Sequence, residues 1–388
     1  MMRDSDVVVV GAGVLGLSAA RALAGQGREV VVCEQASVGH GNSGSKGSAR
    51  IFRLGYDHPG YVRLAMAAQR LWAELEAESG TSLLTTTGQV TFGDDLDVLT
   101  TSMDAAGTRY EEMRAGEVAS RFPVLEVPGR AVFEPDSGVI AADAVLAALQ
   151  TGGGFEVRQQ TRVVRLEDDG RRVRVVLETD GKEDELRASS VVVCAGPWTG
   201  PLVAGSGSGA DVGLRSLPTL EQAAYLAPVT GTIDDVPVFV ERRHPWFYGL
   251  PVHRAGLVKI ALHGAGPAVS LHRLTGDGSD GPDAGLVAEL SAAAERVLPG
   301  LASEPVSTER CLYDNSPDGD FVIDRVGRIV IGSGTSGHGF KFAPLLGQVL
   351  ADLATGTAPE SGLAADIERF RSGRLPSLSD RGGPASHP

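Results

Sequence analysis

One short stretch constrains this chain more than any other. Gly11-Ala-Gly13-Val-Leu-Gly16 stands directly after the apolar run Asp6-Val-Val-Val-Val10 and directly before residues 17–26, whose apolar positions recur at helical spacing. Gly27 ends that helix, and Glu29-Val-Val-Val-Cys33 is a second buried-type strand that closes on Glu34. The order strand, glycine turn, helix, strand is a βαβ opening. In it Gly11 makes the tight turn, Gly13 leaves room for a pyrophosphate against the backbone, and Gly16 lets the helix pack closely. The helix start, with Val14 and Leu15, offers partial positive charge to phosphate. Glu34, about twenty residues after Gly11, can accept from a ribose 2′-hydroxyl and would oppose a 2′-phosphate, which leaves FAD and NAD and disfavours NADP.

At about 150 residues per domain, the 388 residues make two or three domains. A net charge of −14 repels phosphate backbones and anionic lipid, so neither nucleic acid nor membrane is an expected partner. Cys33, Cys194 and Cys311 are too scattered for a disulfide framework or a zinc or redox motif, which fits a reducing cytoplasm. Residues 7–24 imitate an export signal, but Asp4 and Asp6 acidify the flank and Arg21 interrupts the apolar stretch. His244, His253 and His272 lack metal-ligand spacing, and no metal is expected.

Residues 37–49 are too rich in Gly, Ser and Asn for a regular element and read as a ligand-lining or surface loop, with Arg50 and Arg53 following directly. Residues 61–78 have the spacing of an amphipathic helix, and further helices are expected at 94–107, 141–150 and 286–298. Residues 161–166 and 171–179 alternate across Asp168-Asp-Gly170 as an antiparallel hairpin, and 191–196 read as a core strand. Residues 88–92 look like a strand, strands at 223–226, 238–241, 246–250 and 258–263 suggest a second sheet, and 133–138 read as a turn. Residues 205–209 look like a linker, 264–285 like a mobile loop, and 373–388 like a disordered tail. Arg328-Ile-Val-Ile-Gly332 followed by 334–339 repeats the strand and glycine-turn pattern.

This second glycine cluster favours FAD over NAD. Gly337-His-Gly-Phe-Lys-Phe342, Cys311-Leu-Tyr313 and the loop Ser43-Gly-Ser-Lys-Gly-Ser-Ala-Arg50-Ile-Phe-Arg53 resemble the monomeric sarcosine oxidase and N-methyltryptophan oxidase branch of the D-amino acid oxidase superfamily. Phe133-Glu-Pro-Asp-Ser-Gly138, Val193-Cys-Ala-Gly-Pro-Trp198 and Phe247-Tyr-Gly-Leu-Pro251 support the resemblance, which runs from about Asp6 to Phe370. It implies FAD linked by a thioether to Cys311, with Arg50 packed near the flavin ring. It also implies that Arg53 and Lys341 clamp a substrate carboxylate, that Lys259 sits by flavin N5 and helps activate dioxygen, and that His263 and Tyr248 shape the substrate pocket. Further FAD contacts fall on Ser43, Val163, Ala195, Gly196, Trp198, Gly337, His338, Gly339, Phe340 and Lys341. The residues add their own argument. Cys33 and Cys194 close Val-Val-Val runs and read as inert core, whereas Cys311 lies among Arg310, Tyr313 and Asp314, with Arg310 placed to favour thiolate. Lys259 shares a strand face with Leu257 and Ala261, an unusual setting for a cation unless the strand lies at an edge.

Three positions depart from the resemblance: Lys46 where the relatives have a histidine beside the flavin, Asp314 in place of a hydroxyl residue, and Phe239 at a pocket-lining position. A carboxylate at Asp314 either recruits a basic group or points to solvent. The implied fold is α/β, a Rossmann-type FAD-binding domain (1–82, 140–212, 312–372) with an α+β substrate domain (83–139, 213–311) built on an antiparallel mixed sheet. The implied reaction is oxidation of a secondary or N-methyl amino acid to an imine by hydride transfer to flavin N5, with dioxygen reduced to hydrogen peroxide, in a monomer. An amine dehydrogenase, a cyclic-imino-acid or fructosyl-amine oxidase, and a non-catalytic nucleotide sensor are the alternatives.

Overall fold

The computed structural model describes residues 3–206, 214–229, 233, 236–274, 281–358 and 362–375. The first valine run forms strand Arg3–Val10 in the middle of an eight-stranded sheet. Its valines serve two cores in alternation. Val7 and Val9 pack with Leu17 and Leu23 of helix Val14–Gly25 and with Leu346 and Leu350 of helix Ala343–Thr355. Val8 and Val10 pack with Val175, Leu186 and Ile331 on the opposite face. Burial on both faces is what permits an unbroken valine strand, and each such side chain contributes about 1.5 kcal/mol or more.

Parallel partners flank this strand: Val30–Cys33 and then Glu156–Arg158 on one side, Lys182–Val193 and then Ile329–Ser333 on the other. Strand Lys182–Val193 is long enough to serve twice. Its first half extends the antiparallel hairpin of Arg162–Asp168 and Val173–Thr179, and its last residues pair with Ile329–Ser333. The core strand expected at 191–196 is therefore only the end of a 12-residue strand, which stops at Val193.

A second eight-stranded sheet runs in the order Ser307–Asn315, Leu217–Leu226, Leu257–His263, Trp246–Val252, Val238–Arg242, Gln89–Gly93, Ala131–Glu134 and Glu111–Met113. All its pairings are antiparallel except that of Val238–Arg242 with Gln89–Gly93. Directly paired residues point to the same face, and neighbours along a strand to opposite faces. One face therefore collects Phe239, Phe247, Val258, Ile260 and Leu262, covered by Leu290, Ala294 and Val297 of helix Ala284–Val297. The other collects Thr219, Glu221, Tyr225, Val240, Tyr248, Lys259, Ala261, His263, Cys311 and Tyr313. That chemically mixed face is the one turned toward the first sheet's glycine turns.

A small third sheet of Ala49–Phe52, Gly138–Ala141 and Leu84–Thr86 links the two. Helix Pro59–Ser79 starts where the His58 ring accepts from the Gly60 amide, carries a proline in its first turn, and ends at Gly80 in the left-handed region. The turn expected at 133–138 is tighter than read, because Phe133 and Glu134 belong to one strand and Gly138 opens the next. The expected loop 264–285 is anchored at its start, where Ala265 and Gly266 donate to the Glu221 carboxylate, and it contains the short turn Leu271–Arg273. Its residues 275–280, linker residues 207–209 and tail residues 376–388 lie outside the described residues. No helix among the described residues is long and apolar enough to cross a membrane.

Candidate active site

A cavity of about 1230 Å³ runs from the first glycine turn to the mixed face of the second sheet. Small-molecule pockets usually occupy about 300–1,000 Å³, so this space suits a dinucleotide together with a substrate. At the glycine turn the structure shows the close packing expected of Gly11 and Gly16. A Cβ on Gly11, whose φ is +95°, would lie 2.4 Å from the Cys194 carbonyl oxygen, and one on Gly16 would lie 2.0 Å from that of Gly11. The close packing needs both glycines. Gly13 is different, since its Cβ would meet only the Ser45 hydroxyl, at 3.1 Å, and it faces the cavity. The Val14 amide at the helix start donates to Ser45 Oγ at 2.9 Å. Glu34 is buried, with its oxygens accepting from the Ala12 and Ala36 amides at 2.8 and 3.0 Å, and it too lines the cavity. These groups fit a flavin dinucleotide.

Most of the other residues expected at the site line this cavity as well, including Leu15, Ser43, Val163, Ala195, Gly196, Trp198 and the Gly337–Lys341 turn, while Gly16 lies behind it, in its packing role. The Cys311 side chain is half-buried, its Sγ 3.7 Å from Arg50 Nη2 and 3.8 Å from the Gly44 carbonyl oxygen. Arg50 also donates to the carbonyls of Ala49, Gly44 and Lys46 and lies over the Phe340 ring. Burial pushes the Cys33 thiol up to about 12 and the Cys194 thiol higher still, as inert cysteines require.

Lys259 lies on an interior strand, not an edge, and is buried. Its Nζ is 3.0 Å from Glu309 Oε2, which also accepts from the Tyr225 hydroxyl at 2.6 Å. Burial and the nearby Arg50 lower the Lys259 pKa from the ordinary lysine value, while Glu309 acts in the opposite direction. Burial works against ionisation of Glu309, yet Lys259, Tyr225 and Arg50 outweigh it and hold the carboxyl below its usual range.

Arg53 and Lys341 converge on one ring. The Arg53 guanidinium lies 4.3 Å and the Lys341 Nζ 5.6 Å from the centre of Tyr56. Lys341 donates to the His338 carbonyl at 3.0 Å. Among the described residues no carboxylate pairs with either cation. Arg242, also in the cavity wall, is already held by Asp57 through two bonds of 2.6 and 2.7 Å. His263 Nδ1 is 3.3 Å from the Tyr313 hydroxyl, and burial raises Tyr248 to about 12.

Several expectations need correction. Phe239 is fully buried in the apolar core and does not line the cavity; strand alternation gives that role to Val240 and Arg242. Asp314 neither recruits a base nor points to solvent. It is buried, accepting from Ser216, Ser333 and the Gly334 amide at 2.6–2.8 Å, with burial raising its pKa. The cation beside Cys311 is Arg50, while Arg310, on the opposite face of the strand, reaches the Gly281 carbonyl. Lys46 is absent from the cavity lining and contributes a carbonyl to Arg50. Two carboxylates were missed. Glu309 shares a strand face with Cys311 and Tyr313, a signal that alternation alone carries. Glu134, 1% exposed, accepts from the Leu54 and Gly55 amides at 3.2 and 2.8 Å and so fixes the backbone that carries Arg53.

The family described as "FAD dependent oxidoreductase" matches residues 6–353. The chain is 31% identical over 401 residues to the peroxisomal sarcosine oxidase of Homo sapiens, covering 96% of this chain and 97% of that one. It is 29% identical to the monomeric sarcosine oxidase of Bacillus sp. (strain NS-129), covering 92% and 94%. Among solved structures, NikD, an unusual amino acid oxidase essential for nikkomycin biosynthesis, superposes with a TM-score of 0.78 at 27% identity, covering 94% and 97%.

Proposed function

The chain belongs to the FAD dependent oxidoreductase family, and we propose that it oxidises a secondary or N-methyl amino acid at its carbon–nitrogen bond, with dioxygen as final acceptor and hydrogen peroxide as product. The observation that carries this reading is the pair Arg53 and Lys341, two basic side chains in the cavity wall that no carboxylate among the described residues pairs. Such a pair calls for an anion from outside, and the planar guanidinium suits a carboxylate.

When bound, FAD supplies the two-electron acceptor and passes the electrons to dioxygen. The Gly11–Gly16 turn, Glu34 and the Gly337–Lys341 turn would hold it, with Cys311 as the thioether tether; Cys311 is the one cysteine of the three whose side chain is not buried. Arg53 and Lys341 bind and orient the substrate carboxylate, with Tyr56 as the floor between them. Tyr248 and His263 border the space for the substrate's nitrogen and side chain. Lys259, kept in place by Glu309, puts positive charge where dioxygen gains electrons, which favours that step electrostatically. The FAD-binding domain (1–82, 140–212, 312–372) is built around the first sheet and the substrate domain (83–139, 213–311) around the second, whose edge strand Ser307–Asn315 crosses the boundary. Free cysteines throughout support a reducing, cytoplasmic setting, and the monomeric relatives support a monomer.

A peroxide-coupled screen of secondary amino acids beside their decarboxylated amines tests the assignment. The acids are expected to turn over and the amines to be poor substrates. Equal turnover of both would remove the carboxylate role of Arg53 and Lys341.

A further inference from the structure

Two lysines line this cavity in opposite settings. Lys259 has a carboxylate at 3.0 Å. Lys341 is about as deeply buried, at 7% exposed, but among the described residues its Nζ has one partner, the His338 carbonyl oxygen at 3.0 Å. Among the described residues, the groups packed around it offer no negative charge. Arg53 and Tyr56 face it from the segment after strand Ala49–Phe52, His338 from its own glycine turn, Phe342 from the next residue, and Trp72 from helix Pro59–Ser79, the last donating to the Lys341 carbonyl. Tyr56 is raised to about 12 and stays neutral, and burial together with Lys341 holds His338 well below the ordinary imidazole value. Burial and Arg53 hold Lys341 well below the ordinary lysine range. An ammonium so placed is costly until an anion arrives.

We propose that Lys341, besides receiving the substrate carboxylate, is the base that takes the proton from the substrate's ammonium group. The proposal rests on the amino acid reading above and deepens it. An amino acid enters as a zwitterion, and its nitrogen must shed a proton before the carbon–nitrogen bond can be oxidised. The carboxylate docks against Arg53. One N–H bond of the substrate ammonium breaks, its electron pair stays on nitrogen as a lone pair, and a new N–H bond forms at Lys341 Nζ. The number of protons is conserved, and the new lysine ammonium lies beside the carboxylate that stabilises it. Only one carbon separates the nitrogen of an α-amino acid from its carboxylate, so a base touching the one group is within reach of the other. Arg53 cannot take this part, since guanidinium stays protonated. Lys259 has its counter-ion already, and His263 Nδ1 is engaged with Tyr313. Unlike environments for two like groups separate their roles.

The test is proton uptake by the holoenzyme on binding methoxyacetate, a carboxylate shaped like sarcosine with no ionisable nitrogen, measured by calorimetry near pH 8 in two buffers of different ionisation enthalpy. The wild type is expected to take up about one proton per ligand bound, and Lys341→Arg, which is charged before and after binding, to bind methoxyacetate with none. Binding to the wild type without proton uptake overturns the proposal and leaves the carboxylate site standing. Absence of binding overturns both. In single-turnover reduction by sarcosine, Lys341→Arg is expected to slow about 100-fold near pH 8 and to recover about tenfold per pH unit as the substrate's own ammonium titrates. A Lys341→Arg profile that matches the wild type refutes a base at this position.

Discussion

Replacing Glu309 by Gln tests the electrostatics of the cavity directly. The Lys259 Nζ and Glu309 Oε2 are 3.0 Å apart, with the two side chains 6% and 12% exposed. Opposite charges at that separation attract by about 5 kcal/mol at an effective dielectric of 20, an amount offset in part by the burial of both groups. Glu309→Gln keeps the shape and a hydrogen-bond acceptor but leaves Lys259 as a buried charge beside Arg50. The lysine is then expected to lose its proton at lower pH than in the wild type, and the fold to lose about 3 kcal/mol. The pH dependence has a definite sign. A lysine whose folded-state pKa lies below its unfolded value makes the unfolded state bind more protons between the two, so stability rises with pH across that window. The variant's deficit should therefore shrink as pH approaches 10. In the wild type, the contribution of Glu309, whose pKa is lowered, is present above the ordinary carboxylate value and lost as pH falls through the folded-state value. Urea unfolding of the wild type, Glu309→Gln, Lys259→Met and the double variant gives the coupling energy. We expect about 2 kcal/mol, together with slower reaction of the reduced enzyme with dioxygen in Glu309→Gln; a coupling below about 0.5 kcal/mol would refute the argument.

Arg53→Met should raise KM for the amino acid substrate by about 100-fold while leaving turnover of the decarboxylated amine nearly unchanged, as steady-state assays would show. Glu134→Leu strands the Gly55 amide and leaves that of Leu54 only the Ser137 hydroxyl at 3.3 Å, so chemical unfolding should reveal a loss of about 2 kcal/mol and methoxyacetate should bind more weakly even though Glu134 lies outside the cavity. Gly16→Val forces a side chain into the Gly11 carbonyl, and the purified protein should lack the visible absorbance of flavin; a fully yellow variant would contradict the packing. Cys311→Ser should release its flavin to the supernatant on acid precipitation, whereas wild-type colour should stay in the pellet.

Local chemistry made a large part of this protein legible before any coordinates. The glycine fingerprint, the valine runs and Glu34 encode a strand, turn and helix within some thirty residues, because tight turns and two-sided burial are properties of neighbours along the chain. Alternation along single strands was equally informative where it was applied. It put Lys259 on one face with Ala261, and the same rule would have moved Phe239 out of the pocket and placed Glu309 beside Cys311.

Pairing between distant segments was not legible. Asp314 finds its partners at Ser216 and Ser333, Arg50 meets the sulfur of Cys311, and Glu134 holds the segment that carries Arg53, each across a gap that no periodicity spans. The sequence by itself therefore determined which residues carry charge, which backbone positions pack too closely for a side chain, and which strands are buried on both faces. Only the tertiary structure decided which charges are paired. Lys259 acquires Glu309 through the register of three strands, whereas Lys341 acquires no carboxylate among the described residues, and in a medium of low dielectric that difference in neighbours separates a fixed charge from a group free to accept a proton.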